Sequence, residues 1–185
     1  FASVRALGDD VVLIPLAGTE DEVLDSVESA LLAGFLVEPD ADRLRFAHAL
    51  VHETLYDDIP HARRARWHAA AADVIERLRP DDVEAVAHHL LRAGTRADPD
   101  RTARCTRAAA ERAERRFAPH QAAALWREAV ARTPHDPEAV AGLVRALAVT
   151  GELEQSRRLR AEAVTGTGGD PVLTARTVGA FDVPA

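Results

Sequence analysis

A succession of helical apolar patterns, interrupted at intervals by proline and glycine, constrains the fold of this chain more than any other feature. In the segment from His61 to Arg79, apolar residues recur three or four positions apart, which is the spacing of one face of an α-helix. The apolar side of this segment is predicted to hold Trp67, Ala70, Ala71, Val74, Ile75 and Leu78. Pro80 follows the segment and Gly94 follows the next one, and both residue types end helices. The pattern therefore predicts short helices packed side by side.

The amino-acid composition favours the same mainly α fold class. Hydrophobic residues make up 47% of the chain and aromatic residues only 4%, so Ala and Leu supply most of the core, and both lose little entropy in a helix. Cys105 is the one cysteine, which excludes an intrachain disulfide and fits a cytoplasmic location. It is expected to be a small buried hydrophobe. No apolar run approaches the roughly 20 residues that span a bilayer, so no membrane partner is expected.

Charge is distributed unevenly, and the acidic part comes first. Residues 1–60 carry 13 acidic residues against three Arg, a net charge of −10, whereas the whole chain carries −7. An acidic segment such as Asp21 to Glu28 repels a phosphate backbone, so direct DNA binding by this fragment is not expected. Every basic residue is Arg, whereas a nucleotide-binding P-loop needs Lys. We therefore expect no cofactor in this chain alone, and the absence of Met at position 1 leads us to expect that it begins inside a longer protein or has been trimmed.

The N-terminal segment, up to Gly34, is predicted to be helical. Phe1 to Ala17 is apolar with acidic interruptions, which predicts one or two short helices around a turn at Gly8. Thr19 and Glu22 have the spacing of a capping box, in which each side chain binds the other residue's backbone N–H. They predict the start of an amphipathic helix that ends at Gly34, because glycine readily adopts the left-handed conformation after a helix.

A β-hairpin is predicted next, from two short apolar segments, residues 35–38 and 44–47, that flank a polar turn. A further helix is predicted from His48 to Tyr56, before Pro60. Helix, helix and hairpin is the skeleton of a winged helix. Residues 1–59 are therefore interpreted as a winged-helix-like domain.

The rest of the chain is predicted to consist of helix pairs with an internal repeat. Further helices are predicted after a cap at Asp81 or Asp82, from Asp98 to Phe117, and from Pro119 to Arg132. At one fixed period, His135-Asp136-Pro137 aligns with Gly169-Asp170-Pro171, Leu125 with Leu159, Ala129 with Ala163, and Val130 with Val164. Gly151 lies where one helix must turn into its partner. Because a single helix pair cannot bury its own apolar face, residues 60–185 are interpreted as a right-handed stack of helix pairs.

Two resemblances to known families extend this interpretation. The aligned positions are about 34 residues apart, which resembles the period of tetratricopeptide repeats. Each such repeat is one helix-turn-helix unit. Arg43 to His68 resembles the segment that follows the nucleotide-binding core in STAND-class signalling NTPases, whose close relatives are the large ATP-binding LuxR-type regulators and the SARP-type antibiotic regulators. Val86 to Gly94 resembles the helix that opens the tetratricopeptide-like part of those proteins. Asp170 to Ala185 resembles the C-terminal repeats of the SARP type. The resemblance implies an actinobacterial regulator of transcription in which a winged helix precedes a TPR-like helical repeat.

The function that this resemblance implies is a coupling between nucleotide state and binding. ADP or ATP is expected in an upstream NTPase core, and the repeats are expected to contact the protein's own NTPase and DNA-binding domains, a partner protein or an effector. No enzymatic activity is expected of the fragment itself. The alternative is a nucleotide-independent TPR-type adaptor for protein–protein interaction, which a Walker A sequence before Phe1 would argue against. A second rival is direct DNA binding by the winged helix.

One binding residue follows from the resemblance. His48 to Glu53, with the sequence His-Ala-Leu-Val-His-Glu, is similar to the His-Asp-Leu-Val-Arg-Glu stretch of related apoptotic and plant-resistance NTPases. In those proteins the His contacts the β-phosphate of bound ADP, so His48 is a candidate for an ADP phosphate contact. An imidazole can donate to a phosphate oxygen, and a helix N-terminus favours anions. Ala49 and His52 depart from the motif, and the alternative for His48 is a helix-capping or core-edge role.

The other histidines are expected to have structural roles. His48 and His52 are four positions apart, but the spacing suggests no third ligand, so no metal site is predicted. His88 and His89 point about 100° apart on a helix, a poor arrangement for holding a metal, and are expected to be interface or helix-packing histidines. His61 and His68, which flank a group of arginines, are expected to be solvated.

A basic cluster opens the helix after Pro60. It consists of Arg63, Arg64 and Arg66. Ion pairs with Asp57 and Asp58 are expected here, rather than a nucleic-acid patch. No Ser/His/Asp order or paired-carboxylate pattern is present, so no catalytic residue is predicted.

Overall fold

Eight helices and four short strands make up the part of the chain that the structure, a computed structural model, describes: residues 2–5, 11–14, 19–40 and 43–166. The strands are β1 (Ala2–Arg5), β2 (Val11–Ile14), β3 (Leu36–Asp40) and β4 (Arg43–Phe46). The helices are α1 (Glu20–Leu32), α2 (Ala49–Asp57), α3 (His61–Leu78), α4 (Val83–Ala93), α5 (Pro99–Arg115), α6 (Pro119–Arg132), α7 (Pro137–Val149) and α8 (Leu153–Thr165). The mainly α fold class is confirmed. No helix in these ranges combines the length and the apolar character needed to cross a membrane.

The chain forms two compact units, Phe1–Ala97 and Asp98–Ala185. Helices α3 and α4 pack closely on each other and both belong to the first unit. The division predicted after residue 59 separates two kinds of domain, a winged helix and a helical repeat. That division stays a prediction, because compactness alone does not identify the kind of domain.

The N-terminal segment differs from its prediction. Strands β1 and β2 form an antiparallel hairpin in which Ala2 pairs with Ile14 and Arg5 pairs with Val11, so the helices expected from Phe1 to Ala17 are wrong for these residues. Four consecutive apolar residues, three of them β-branched, follow Asp10, and β-branched residues favour strands. The predicted turn residue Gly8 lies outside the described residues. The order of elements in the first unit therefore begins with two strands, not with a helix.

Helix α1 and the hairpin after it match their predictions. The Thr19 hydroxyl accepts from the Glu22 backbone N–H at 3.3 Å, and the Glu22 carboxylate accepts from the Thr19 N–H at 2.8 Å, which completes the capping box. Gly34 has a φ of +73° and follows the helix. Strands β3 and β4 pair antiparallel, and the four-stranded order is β1-β2-β4-β3. Val27 of α1 is buried, as are Leu36 of β3 and Leu44 of β4.

The pairing of α3 with α4 forms the core of the rest of the first unit. Asp82 caps α4 by accepting from the Ala85 N–H at 3.3 Å, and Gly94 follows the helix as predicted. The buried residues of α3 are His68, Ala71, Ala72 and Ile75. The predicted apolar face is therefore shifted by about one position, and Leu78, which was expected on it, is 70% exposed. The shift follows from the tertiary partner α4, which decides which side of a largely alanine-built helix is covered.

The second unit contains two consecutive helix pairs, α5 with α6 and α7 with α8. Trp126, which is fully buried, lies in a core otherwise composed of Ala and Leu. The repeat period predicted from the sequence relates the start of α6 at Pro119 to the start of α8 at Leu153, and the end of α5 at Arg115 to the end of α7 at Val149. Leu125 and Leu159, which the sequence period aligned, both pack against this core. The second Asp-Pro pair of the predicted repeat, at residues 170 and 171, lies outside the described residues.

The turns within the two helix pairs have the same backbone geometry. Phe117 has a φ of +56° and Gly151 a φ of +86°, and the same repeat period separates them. The N–H after each of them donates back to the helix it closes, from Ala118 to the Ala113 carbonyl at 3.0 Å and from Glu152 to the Leu147 carbonyl at 2.8 Å. This is the hydrogen bond of a Schellman motif, in which glycine is the usual residue at the left-handed position. Phe117 is thus an unusual residue at an ordinary helix end.

Candidate functional site

His48 lies at the N-terminal cap of α2, directly after the β3–β4 hairpin. Its backbone is extended, with φ −136° and ψ 130°, and its carbonyl accepts from the Val51 N–H at 3.1 Å. The His48 side chain is exposed and makes no capping hydrogen bond. The first N–H groups of a helix have no acceptor within that helix, so they and an exposed imidazole can serve the same anion.

The two residues that depart from the family motif follow His48. Ala49 is the first residue of α2 and is exposed. The His52 ring, one turn further on, contacts Phe46 at a centroid distance of 4.9 Å and stacks with Tyr56 at 6.0 Å. His52 therefore packs among aromatic rings at the junction of β4 and α2.

A chain of side-chain hydrogen bonds lies at the far end of α2 and joins three helices. The Tyr56 hydroxyl of α2 lies 2.8 Å from Nε2 of His68 in α3. Nδ1 of His68 lies 2.7 Å from Nδ1 of His89 in α4. Arg92, one turn further along α4, donates to the Tyr56 hydroxyl oxygen at 3.3 Å. We call these four residues, Arg92, Tyr56, His68 and His89, the histidine relay.

The protons of the relay can run in two directions, because the Tyr56 oxygen can both donate and accept. Arg92 can only donate, and it donates to the Tyr56 oxygen. We therefore expect the Tyr56 O–H to donate to Nε2 of His68, and Nδ1 of neutral His68 to donate to Nδ1 of His89. In either direction, Nε2 of His89 is buried without a hydrogen-bond partner among the described residues, which is costly in a protein interior.

Burial and neighbouring cations keep both relay histidines neutral. Desolvation, followed by the charges of Arg92, His88 and Arg64, lowers the pKa of His68 from 6.5 to about 4. Desolvation, followed by His68, His88 and Arg92, lowers the pKa of His89 from 6.5 to about 3. The expectation that His68 is solvated is therefore wrong, because His68 lies three and four positions before the buried Ala71 and Ala72. The packing role expected of His89 is confirmed.

Arg64 covers the outer side of Tyr56. Its guanidinium carbon lies 4.8 Å from the centre of the Tyr56 ring, and its NH1 donates to Asp57 at 3.2 Å. The same guanidinium lies 2.9 Å from Nδ1 of His61. The predicted ion pair with Asp57 is confirmed for Arg64, while Arg63 and Arg66 are exposed. Arg64 therefore helps to hold α2 against α3.

The histidine relay is a hydrogen-bond network with two neutral histidines at its centre, and it is suited to holding helices together. Within the described ranges, no group of three or more His, Cys, Asp or Glu is arranged to hold a metal ion. Sequence reasoning did not bring Tyr56, His68 and His89 together, because they are distant in the chain. The signal that could have placed His68 in the interior was its position on the same helix face as the apolar residues Ala71, Ala72 and Ile75.

A second candidate site is an open cavity of about 140 Å³ in the second unit, between α5, the end of α6 and α7. The cavity is lined by Asp100, Ala103, Arg104, Arg107, Ala129, Thr133, Asp136 and Ala139. Arg107 donates to Asp136 at 3.3 Å and to Glu138 at 2.9 Å, which ties α5 to α7. Arg104 is exposed and forms no ion pair with any residue in the described ranges. The cavity is open because the alanine side chains that line it are small, and Arg104 supplies a positive charge at its edge.

Neither a protein-family model nor the sequence of a curated protein matches this chain. The assignment of a function therefore rests on the residues and their geometry.

Proposed function

We propose that this chain is a regulatory, protein-binding fragment of a signal-responsive transcriptional regulator. In this proposal, residues 1–59 respond to the nucleotide held by an NTPase core that precedes Phe1, and the helical repeats bind a protein or an effector. Bound ADP would keep residues 1–59 closed on the NTPase core. Exchange for ATP would release the repeats and the DNA-binding domain.

The observation that carries the proposal is the position of His48. Its exposed imidazole makes no capping hydrogen bond, and it lies at the N-terminus of α2, where the first backbone N–H groups point out of the helix. A phosphate at this place would gain a side-chain donor and helix-terminal donors together. Ala49 replaces the motif Asp and so lacks one group that could orient such a contact. His48 would therefore be the main side chain that recognises the phosphate.

The second unit supports a binding role for the repeats. Consecutive helix pairs leave an open cavity of about 140 Å³ between neighbouring helices. Arg104, which forms no ion pair with any described residue, lies at its edge. Such a surface can accept a small apolar group together with a carboxylate. This observation also favours the alternative function, a TPR-type adaptor that works without nucleotide.

The test is the affinity for ADP, measured by calorimetry on a longer form of the protein that includes the residues before Phe1. His48→Ala should weaken ADP binding by about 1–3 kcal/mol, the range for one hydrogen bond to a charged group. His48→Gln should lose less, because its amide can still donate. His120→Ala, which removes an exposed histidine near the start of α6, serves as the control and should leave the affinity unchanged.

Two results would change the conclusion. Equal ADP affinity in the wild-type and His48→Ala proteins would remove His48 from the mechanism. Failure of the longer wild-type protein to bind ADP at all would leave the adaptor as the function to pursue.

A further inference from the structure

The turn between α5 and α6 presents an aromatic side chain to solvent. Phe117 is 92% exposed, although it is one of only five Phe in the chain. It also occupies a left-handed position, with φ +56°, that glycine fills in the equivalent turn at Gly151. A bulky residue at such a position destabilises the fold slightly and gains nothing from burial. An exposed Phe held in this way is therefore a candidate contact for another molecule.

The surroundings of Phe117 are basic. Arg115 and Arg116 precede it and His120 follows it, and all three are exposed. Arg115 has no ion pair with any residue that the structure describes. We call Arg115, Arg116, Phe117 and His120 the basic turn. Its natural complement is an apolar surface bordered by carboxylates.

Helix α1 of the first unit carries a surface of that kind. Asp21, Asp25 and Glu28 lie on one face of the helix, at spacings of four and three residues, and all are exposed. Their carboxylates make no ion pair within the described ranges. Leu24 and Leu32, which are 51% and 90% exposed, lie one turn before and one turn after Glu28. No basic residue occurs from residue 19 to residue 40.

We propose that the basic turn of one molecule docks on the acidic face of α1 in a second copy of this chain. Phe117 would pack between Leu24 and Leu32, and Arg115 would pair with Glu28. The two surfaces differ, so the contact is heterologous, and the resulting dimer retains one free basic turn and one free acidic face. This contact is independent of the nucleotide response proposed above, because neither His48 nor the histidine relay takes part in it.

The small size of the two surfaces sets the expected behaviour. One aromatic side chain, two leucines and a few charges make an interface of the weak, transient class. Because the attraction between exposed charges is screened by salt, the association should be strongest at low ionic strength. Because each copy can bind two others, the mean mass should continue to rise with concentration beyond that of a dimer.

Sedimentation equilibrium of the whole chain over a concentration series at low salt tests the proposal. Phe117→Gly should weaken association by about tenfold or more, as for an aromatic anchor, while thermal unfolding shows an unchanged or more stable fold. Arg115→Glu and Glu28→Arg should each weaken it as well. The double variant Arg115→Glu/Glu28→Arg should restore it, because the ion pair is re-formed with reversed charges.

Arg66→Glu is the matched control, since Arg66 is another exposed Arg that lacks an ion pair among the described residues. It should leave association unchanged. A wild-type chain that stays monomeric throughout the series would overturn the proposal. Equal weakening by Arg66→Glu would also overturn it, since net charge alone would then be responsible, and so would a double variant that fails to regain association.

Discussion

Nδ1 of His68 lies 2.7 Å from Nδ1 of His89, in the interior between α3 and α4. At this distance one ring nitrogen must donate and the other must accept, so the contact requires both rings to be neutral or only one to be charged. Two cationic rings could not occupy this arrangement. The pair therefore makes the first unit sensitive to acid.

The first prediction concerns the pH dependence of stability. The pKa values of His68 and His89 are about 4 and about 3 in the folded protein, below the unfolded value of 6.5. The unfolded chain therefore binds more protons, so the folded state should be most stable above about pH 6.5 and lose stability as the pH falls through the folded pKa values. Each histidine contributes a slope of up to about 1.4 kcal/mol per pH unit. Urea unfolding followed by circular dichroism between about pH 7 and pH 5 measures it, above the range in which most carboxylates titrate.

His89→Asn provides the check on this assignment, because its amide keeps a polar atom near the position of Nδ1 but does not titrate. This variant should be less stable at neutral pH, and its stability should depend less on pH. His120→Gln, at an exposed site of the second unit, should retain the wild-type slope. A wild-type slope in the His89→Asn protein would assign the acid sensitivity to other residues.

The second prediction concerns the tautomers of the relay. His68 should carry its proton on Nδ1 and His89 on Nε2, because Arg92 orients the Tyr56 hydroxyl towards His68. Long-range nitrogen–proton NMR spectra distinguish the two forms. Tyr56→Phe removes the hydroxyl and should free His68 to change tautomer. The opposite tautomers in the wild-type protein would show that the relay runs in the reverse direction.

The third prediction concerns Gly142. A Cβ on this residue would lie less than 3.0 Å from three atoms of the Trp126 indole ring. Gly142→Ala should therefore lower the free energy of unfolding by about 1–3 kcal/mol through overpacking, although Ala is the better helix former by about 1 kcal/mol. Ala148→Gly, at an exposed position of the same helix, isolates the helix-propensity effect. An increase in stability on Gly142→Ala would mean that the indole moves aside without strain.

The fourth prediction concerns the hydrogen bond of that indole. Nε1 of Trp126 donates to the Glu114 carboxylate at 3.0 Å, and Arg145 lies 3.7 Å from the other oxygen of Glu114. Glu114→Ala should cost about 1–3 kcal/mol in denaturant unfolding, because a largely buried N–H loses its acceptor. Glu114→Gln keeps an oxygen and should cost less. Similar losses for the two variants would mean that the Arg145 contact, not the indole, gives Glu114 its effect.

The fifth prediction compares the two equivalent turns. Gly151→Ala should lower stability by about 1 kcal/mol, since its φ of +86° disfavours a side chain. A Cβ at Gly151 meets no atom within 4 Å, so the loss comes from the backbone alone. Phe117→Gly, at the equivalent place in the preceding helix pair, should raise stability. Thermal unfolding of both variants shows whether the signs are opposite, and a loss of stability in both would contradict the equivalence of the turns.

Local signals in the sequence were sufficient to locate most helix ends. The limits of α6 were predicted at both ends, and the cap at Thr19 and the turn at Gly151 were also correct, because capping and left-handed glycine depend on neighbouring residues only. The β1–β2 hairpin was missed, since short apolar runs fit either a helix or a strand until their partners are known. The burial of His68 was missed for a related reason, as it depends on α4 and on Tyr56 of α2.

The burial of Trp126 has a practical consequence, because the chain has only two Trp and each compact unit contains one of them. Trp67, in α3, is only half-buried, whereas Trp126 is enclosed. Their fluorescence should therefore differ, with emission at shorter wavelength from the buried indole of Trp126 and at longer wavelength from the more solvent-exposed indole of Trp67. A Trp67→Phe chain would emit from the second unit alone. The unfolding of each unit can thus be followed separately, in one chain and without any added label.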